Sequence, residues 1–263
     1  MKQLKKVKLL PLTDLDSLNL KVTSHIDYDW TGLSKEATQE LLSKLYKIVG
    51  NAPSAIIASK VGDKNFVSTQ VKTSKDKSKV FTFPEPNPIC IYYKSANEHL
   101  QRSYAIKNKI YSEEQHFDHN YHYENFIEYF QETSEGVILL STTIEGFVNQ
   151  LLPENVEIEI NNVKKKKGDL EWLGPTTKIR DVVEKLTGID FQKSNPKEYA
   201  DISLLLDLRN DLIHLKKTSK ANITNYQLLF KRLVELDHVA VSDGVFRFIN
   251  TIIPNYLIEE DGS

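Results

Sequence analysis

A leucine-rich stretch with an arginine inside its apolar face constrains this chain more than any other feature: NPKEYADISLLLDLRNDLIHLKK, residues 195–217. Asn195 stands as N-cap, Pro196 in the first helical position and Glu198 three residues after the cap, which together mark a helix start. At about 100° per residue, Leu204, Leu205, Leu208, Leu212 and Leu215 share one sector, widened by Ile202, Leu206 and Ile213. Arg209 falls inside that sector. Asn210, His214 and Lys217 project from the polar side, with Asn210 and His214 one turn apart. A guanidinium cannot shed its proton, so an apolar position for Arg209 demands a carboxylate or several acceptors. The segment GVILLSTTIEGFVNQLL, 136–152, provides one: Leu140, Ile144, Phe147, Val148 and Leu151 form a stripe with Glu145 at its edge. The two helices are predicted to pack together, with Glu145 paired to Arg209 and both largely buried.

Around these helices the chain divides into two unequal parts. Residues 1–94 read as a mixed α/β region. LSKEATQELLSKLYKIVG, 33–50, is a predicted helix with Ser34 as N-cap and Gly50 as stop. SAIIASKVGDKNFVSTQV (54–71), SKVFTF (78–83) and PICIYY (88–93) are short and rich in β-branched and aromatic residues, and they are predicted strands. Residues 95–255 turn helical. Ser95 and Glu98 form a capping-box pattern, a long periodic segment runs from Tyr123 to Leu152 and is closed by Pro153, and TTKIRDVVEKLTG, 176–188, is a short helix ending at Gly188. A last helical segment covers Thr224 to Ile253 with an expected break at SDG, 242–244, and the lysine run KKKKGD, 164–169, is expected in a loop. The predicted fold class is α+β, a C-terminal all-α bundle preceded by a smaller mixed region.

Composition narrows the function. With 40 % hydrophobic and 27 % charged residues the 263-residue chain is an ordinary globular one, and a formal net charge of −2 requires any nucleic-acid contact to come from a local basic patch. Cys90 is the single cysteine, so no internal disulfide forms, which fits a reducing compartment. The basic start MKQLKKVKLL meets Pro11 and Asp14 too soon for a signal peptide, and no apolar run approaches membrane-spanning length. A cytoplasmic protein that does not engage the membrane is expected. No glycine-rich phosphate loop is present. His116, His119 and His122 in HFDHNYH are spaced by three, but the spacing drifts around a helix, so no metal is assigned to them. Cys90 reads as a buried strand residue, and the Tyr and Phe residues of 121–130 read as core at helical spacing.

RNDLIH, 209–214, resembles the R-x-x-x-x-H signature of HEPN domains, including the Asn that follows the Arg. TTIEGFVNQLL, 142–152, is similar to the first HEPN helix with its embedded acid, and LGPTTKIRDVVEKLTGI, 173–189, resembles the segment that lies between. The resemblance is strongest over 120–253. It implies a helical bundle that dimerises and, in catalytic members, a metal-independent ribonuclease of toxin–antitoxin and phage-defence systems, with no cofactor. Such cleavage turns the ribose 2′-OH on its own phosphate, which needs a group titrating near neutrality and fixed positive charge for the phosphorane oxygens. His214 then acts as general acid/base, Arg209 steadies the phosphate, Asn210 orients the histidine or donates to phosphate, and Glu145 holds Arg209 from behind. One such histidine per chain does not give both acid and base, so a homodimer is expected. Lys216, Lys217 and Lys220, with the 164–167 run, guide the RNA. An antitoxin or a phage-derived trigger protein is the implied further partner, and residues 1–94 serve as a regulatory or sensing module. The alternative is a non-catalytic HEPN-like module for dimerisation or partner binding, in which Arg209 and Glu145 only hold two helices in register.

Overall fold

The computed structural model describes residues 4–9, 34, 36–37, 39–40, 56–61, 64–72, 80–84, 86–112, 119–214, 219–220 and 223–260. They fall into two units, Leu9–Asn87 and Met1–Lys8 with Pro88–Ser263.

In the first unit, β1 (Ile56–Val61), β2 (Lys64–Lys72) and β3 (Val80–Pro84) form an antiparallel sheet in the order β1-β2-β3. Val61 pairs with Lys64, so only Gly62 and Asp63 separate these strands, the spacing of a tight hairpin. Residues 36–37 and 39–40 are helical, and the Ser34 Oγ accepts from the Ala37 amide at 3.2 Å, as expected of an N-cap. The rest of the predicted 34–50 helix lies outside the described residues.

The second unit is mostly helical. Its first helix is α1 (Pro88–Ser112), so PICIYY is helix and not strand, and the division between units falls before Pro88 instead of after residue 94. Two physical facts produce the difference. Proline is pre-organised for a first helical position, and the buried residues Ile89, Tyr93, Ala96 and Leu100 recur at helical spacing, which a six-residue window conceals. Ser95 and Glu98 therefore lie inside α1 and cap nothing. Cys90 is buried as expected, but on a helix.

After α1 comes α2 (His119–Gln150), antiparallel to it and packed along its length. A Cβ at Gly136 would lie 2.6 Å from the Leu100 side chain, so the two helices approach as closely as they do because that position lacks one. The chain then forms a hairpin of β4 (Glu157–Ile160) and β5 (Val163–Lys166), turned by Asn161 and Asn162 with φ of 53° and 62°. This corrects the expected lysine loop. Glu157 faces Lys166 and Glu159 faces Lys164 across the ladder, while Ile158 and Ile160 point into a small second core with Leu152, Leu170 and Val182.

Short helices α3 (Lys167–Glu171) and α4 (Pro175–Thr177), a π-helical turn (Lys178–Val183) and α5 (Glu184–Thr187) follow; the last ends at Gly188 with φ 73°, as the sequence predicted. Next come α6 (Phe191–Ser194) and α7 (Pro196–Ile213). Asn195 occupies the N-cap position of α7, but its side chain donates to Ser194 Oγ and does not cap.

Two-residue strands β6 (Ser219–Lys220) and β7 (Ile223–Thr224) pair ahead of α8 (Asn225–Glu235) and α9 (His238–Ile252). The interruption falls at Leu236–Asp237, not at SDG. Asp237 starts α9 by accepting from the amides of Val239 and Ala240, whereas Ser242 is buried and donates to Asn97 Oδ1 at 2.7 Å. Gly244 faces α7, where a Cβ would stand 3.2 Å from the Glu198 carbonyl oxygen. SDG is thus a helix-crossing point built from small residues. The main core joins Leu140, Ile144 and Phe147 of α2 with Ile202, Leu205 and Leu208 of α7 and Val245, Phe248 and Ile249 of α9. Residues near the N-terminus close on it: Val7 bridges Glu259, with backbone bonds from Lys8 to Ile258 and from Glu260 to Lys6.

Candidate functional site

Helix α7 buries Ile202, Leu205, Leu206, Leu208 and Leu212, but Leu204, predicted within the apolar sector, and Ile213 at its margin are exposed, and Leu215 lies outside the described residues. Arg209 stands beside this face, and its Nη2 lies 3.4 Å from Glu145 Oε1 of α2. The two helices therefore meet through the opposite charges that the sequence singled out. The expectation of near-complete burial is corrected: the side chains keep 26 % and 29 % of their exposure. Both are long enough to carry their charged ends from the apolar seam toward water. Arg209 Nη1 also donates to Asn210 Oδ1 at 3.3 Å, so one guanidinium links the acid of α2 to the exposed Asn210.

His214 does not lie within the helix. It is the C-cap residue of α7, with φ −103° and ψ 41°, and its amide donates to the Asn210 carbonyl at 3.0 Å. Its side chain is exposed. In the last turn of α7, Asp211 accepts from Arg232 of α8, which ties the exposed flank of this helix end to its neighbour. Lys216 and Lys217 lie outside the described residues; Lys220 has its backbone in β6 and its side chain outside them. Of the 164–167 lysines, Lys164 and Lys167 are paired with Glu157 at 3.1 Å and Glu154 at 2.6 Å, so half of that run is neutralised.

Lys178 is a site residue that the sequence reading passed over. In the π-helical turn it retains only 3 % exposure, and its Nζ donates to Asn149 Oδ1 at 2.8 Å and to the Glu171 carbonyl at 2.7 Å. Burial pushes its pKa below the ordinary lysine value, opposed by the negative charge of Glu145 and Glu171. Glu145 thus has two cations near it, Arg209 in contact and Lys178 through space. The signal in the sequence was a lysine directly before Ile179, with Val182 and Val183 a turn later, all buried.

Among the other candidates, His116 lies outside the described residues, and His119 and His122 have only their backbone described, in α2. Of the aromatics of 121–130, Tyr129 is core, donating to the Leu233 carbonyl at 3.0 Å, but Tyr123 and Phe126 are exposed, Phe126 while packing on Phe230 with ring centroids 4.5 Å apart, so the expectation of core packing holds only in part. Elsewhere α1 and α2 bring His99, Glu132 and Glu135 together. The sequence reading overlooked this cluster because its members come from two segments, each with a pair at i,i+3 spacing. Among the described residues no helix is long and apolar enough to cross a membrane. The chain matches no protein-family model, no curated protein and no solved structure.

Proposed function

We propose that the helical unit is a HEPN-like, metal-independent endoribonuclease of a toxin–antitoxin or anti-phage abortive-infection system. The observation that carries this reading is the end of α7: Arg209 is held by Glu145 at 3.4 Å, Asn210 stands beside it, and His214 is exposed where the helix stops. Glu145 fixes the guanidinium while leaving its remaining N–H groups for an anion, the arrangement a phosphorane needs. His214 takes the proton from the ribose 2′-OH as it attacks its phosphorus. The bond to the 5′-oxygen breaks, a proton is delivered to that oxygen, and the products are a 2′,3′-cyclic phosphate and a 5′-OH. Two copies of the chain in a homodimer provide one histidine for each proton transfer. Lys216, Lys217 and Lys220, a few residues beyond His214, guide the RNA backbone.

The test is cleavage of an RNA oligonucleotide in EDTA, followed by end-group analysis. The reading expects a 2′,3′-cyclic phosphate and a 5′-OH, with no cut when the scissile ribose alone is 2′-deoxy. Cutting of the 2′-deoxy substrate contradicts the chemistry. No cleavage of any RNA, together with a stable dimer, favours the non-catalytic interaction module.

A further inference from the structure

Far from Arg209, α1 and α2 hold a set of side chains whose hydrogen bonds do not close. His99 Nδ1 lies 2.8 Å from Glu132 Oε2 and 3.0 Å from Glu135 Oε2. Arg102 Nη2 reaches the same Nδ1 at 2.8 Å, while its Nε donates to Glu132 Oε2 at 2.8 Å. A ring nitrogen carries either a proton or a lone pair. With a proton, Nδ1 donates to a carboxylate but confronts an arginine N–H. With a lone pair, it accepts from the arginine but confronts two carboxylates. Neither form satisfies all three neighbours.

A divalent cation does. It takes the Nδ1 lone pair and one oxygen from each carboxylate, and it replaces the positive charge of Arg102, whose side chain is half exposed and free to swing into water. We propose that His99, Glu132 and Glu135 form a binding site for a first-row divalent transition metal, with Arg102 standing in for the ion in its absence. His99 and Arg102, and Glu132 and Glu135, are each one turn apart, so two helix faces direct all four groups at one point. One imidazole with two carboxylates suits Zn2+ or Mn2+ better than Ca2+ or Mg2+, which take all-oxygen sets. Metal bonds of about 2.1 Å place tetrahedral ligand atoms roughly 3.4 Å apart, so these atoms need to separate by about half an ångström. Gln131 Nε2 already donates to Glu135 Oε1 at 3.0 Å, which leaves Oε2 as the ligand and orients it. The partial exposure of all three ligands leaves room for water at the remaining position.

The site clamps α1 to α2. Its two glutamates lie about 15 to 20 Å along α2 from Glu145 at 1.5 Å per residue, so the proposal is independent of the ribonuclease reading. Its function is structural, and loaded protein is more stable than stripped protein.

The experiment uses the full chain stripped with EDTA and desalted, then titrated with Zn2+ while thermal unfolding is followed, and with Co2+ while visible absorption is followed. Wild type is expected to bind one ion per chain and to unfold at a higher temperature with Zn2+. His99→Ala, or Glu135→Gln if the first variant does not fold, is expected to bind more than about tenfold more weakly, beyond the least that loss of a supporting group costs. Arg102→Ala is expected to bind at least as tightly as wild type, because it removes the competing cation. Absence of binding in wild type and Arg102→Ala, or binding that survives both ligand variants at His116, His119 and His122 or elsewhere, overturns the proposal.

Discussion

Arg209 and Glu145 sit at the edge of an apolar seam with about a quarter of each side chain in water, and that position sets what their removal costs. A fully buried pair broken on one side costs about 3–5 kcal/mol and an exposed pair about 0–1 kcal/mol. Arg209→Ala is therefore expected to lose about 1–2 kcal/mol in denaturant unfolding, and Glu145→Gln a similar amount. A double-mutant cycle with a coupling near zero would show that the two charges do not interact in solution. Because Arg209→Ala is expected to lower stability, a loss of activity in that variant alone would be weak evidence for the proposed catalytic role. His214 is the cleaner probe. It caps a helix end through its backbone and exposes its ring, so His214→Ala is expected to change stability by no more than about 0.5 kcal/mol.

At the scale of elements, small residues decide where helices cross. Gly244 brings α9 onto the backbone of α7 at Glu198, and Gly244→Val puts two methyl groups into that contact. The variant is expected to lose about 1–3 kcal/mol, as overpacked positions do; an unchanged unfolding midpoint would mean that the helices do not cross there.

The same scale explains how much was legible in the sequence. The start of α7, the sheet strands, the Gly188 stop and the Glu145–Arg209 pair each follow from a pattern within one segment, or from two matched oddities. PICIYY misled because six residues are too few to separate a helical period from a strand. SDG misled because Ser and Gly also serve helix crossings, and the lysine run misled because its partner glutamates lie across a turn of two asparagines. The His99 cluster owes its character to neighbours far along the chain, so no local pattern announces it, and Lys178 is marked only by the buried Ile179, Val182 and Val183 beside it. The pairing of Arg209 with Glu145 was visible, but its partial exposure depends on how far two long side chains lean outward, and spacing does not set that.

For the whole molecule, His238 links stability to acid. It is buried at the start of α9, and its pKa is lowered to about 4, first by burial and then by the charge of Lys107 on α1, against smaller opposing effects of the Leu100 backbone and Asp237. In the unfolded chain it titrates near 6.5. Between these values the unfolded state binds the proton and the folded state does not, so this contribution is complete above about pH 6.5 and is lost as pH falls toward 4, by about 3 kcal/mol. His238→Gln is expected to flatten that part of the stability–pH curve, and an unchanged slope would place the acid sensitivity elsewhere. The proposed cleavage expects a homodimer, with one His214 for each proton transfer; a strictly monomeric mass under conditions where RNA is cut would contradict that expectation. The most direct measurement compares wild type with His214→Ala on one RNA substrate in EDTA, with unfolding curves recorded on both proteins. The account predicts matching unfolding curves and a loss of cleavage on the order of a hundredfold or more, the usual share of a general acid/base. Equal cleavage by the two proteins would contradict it.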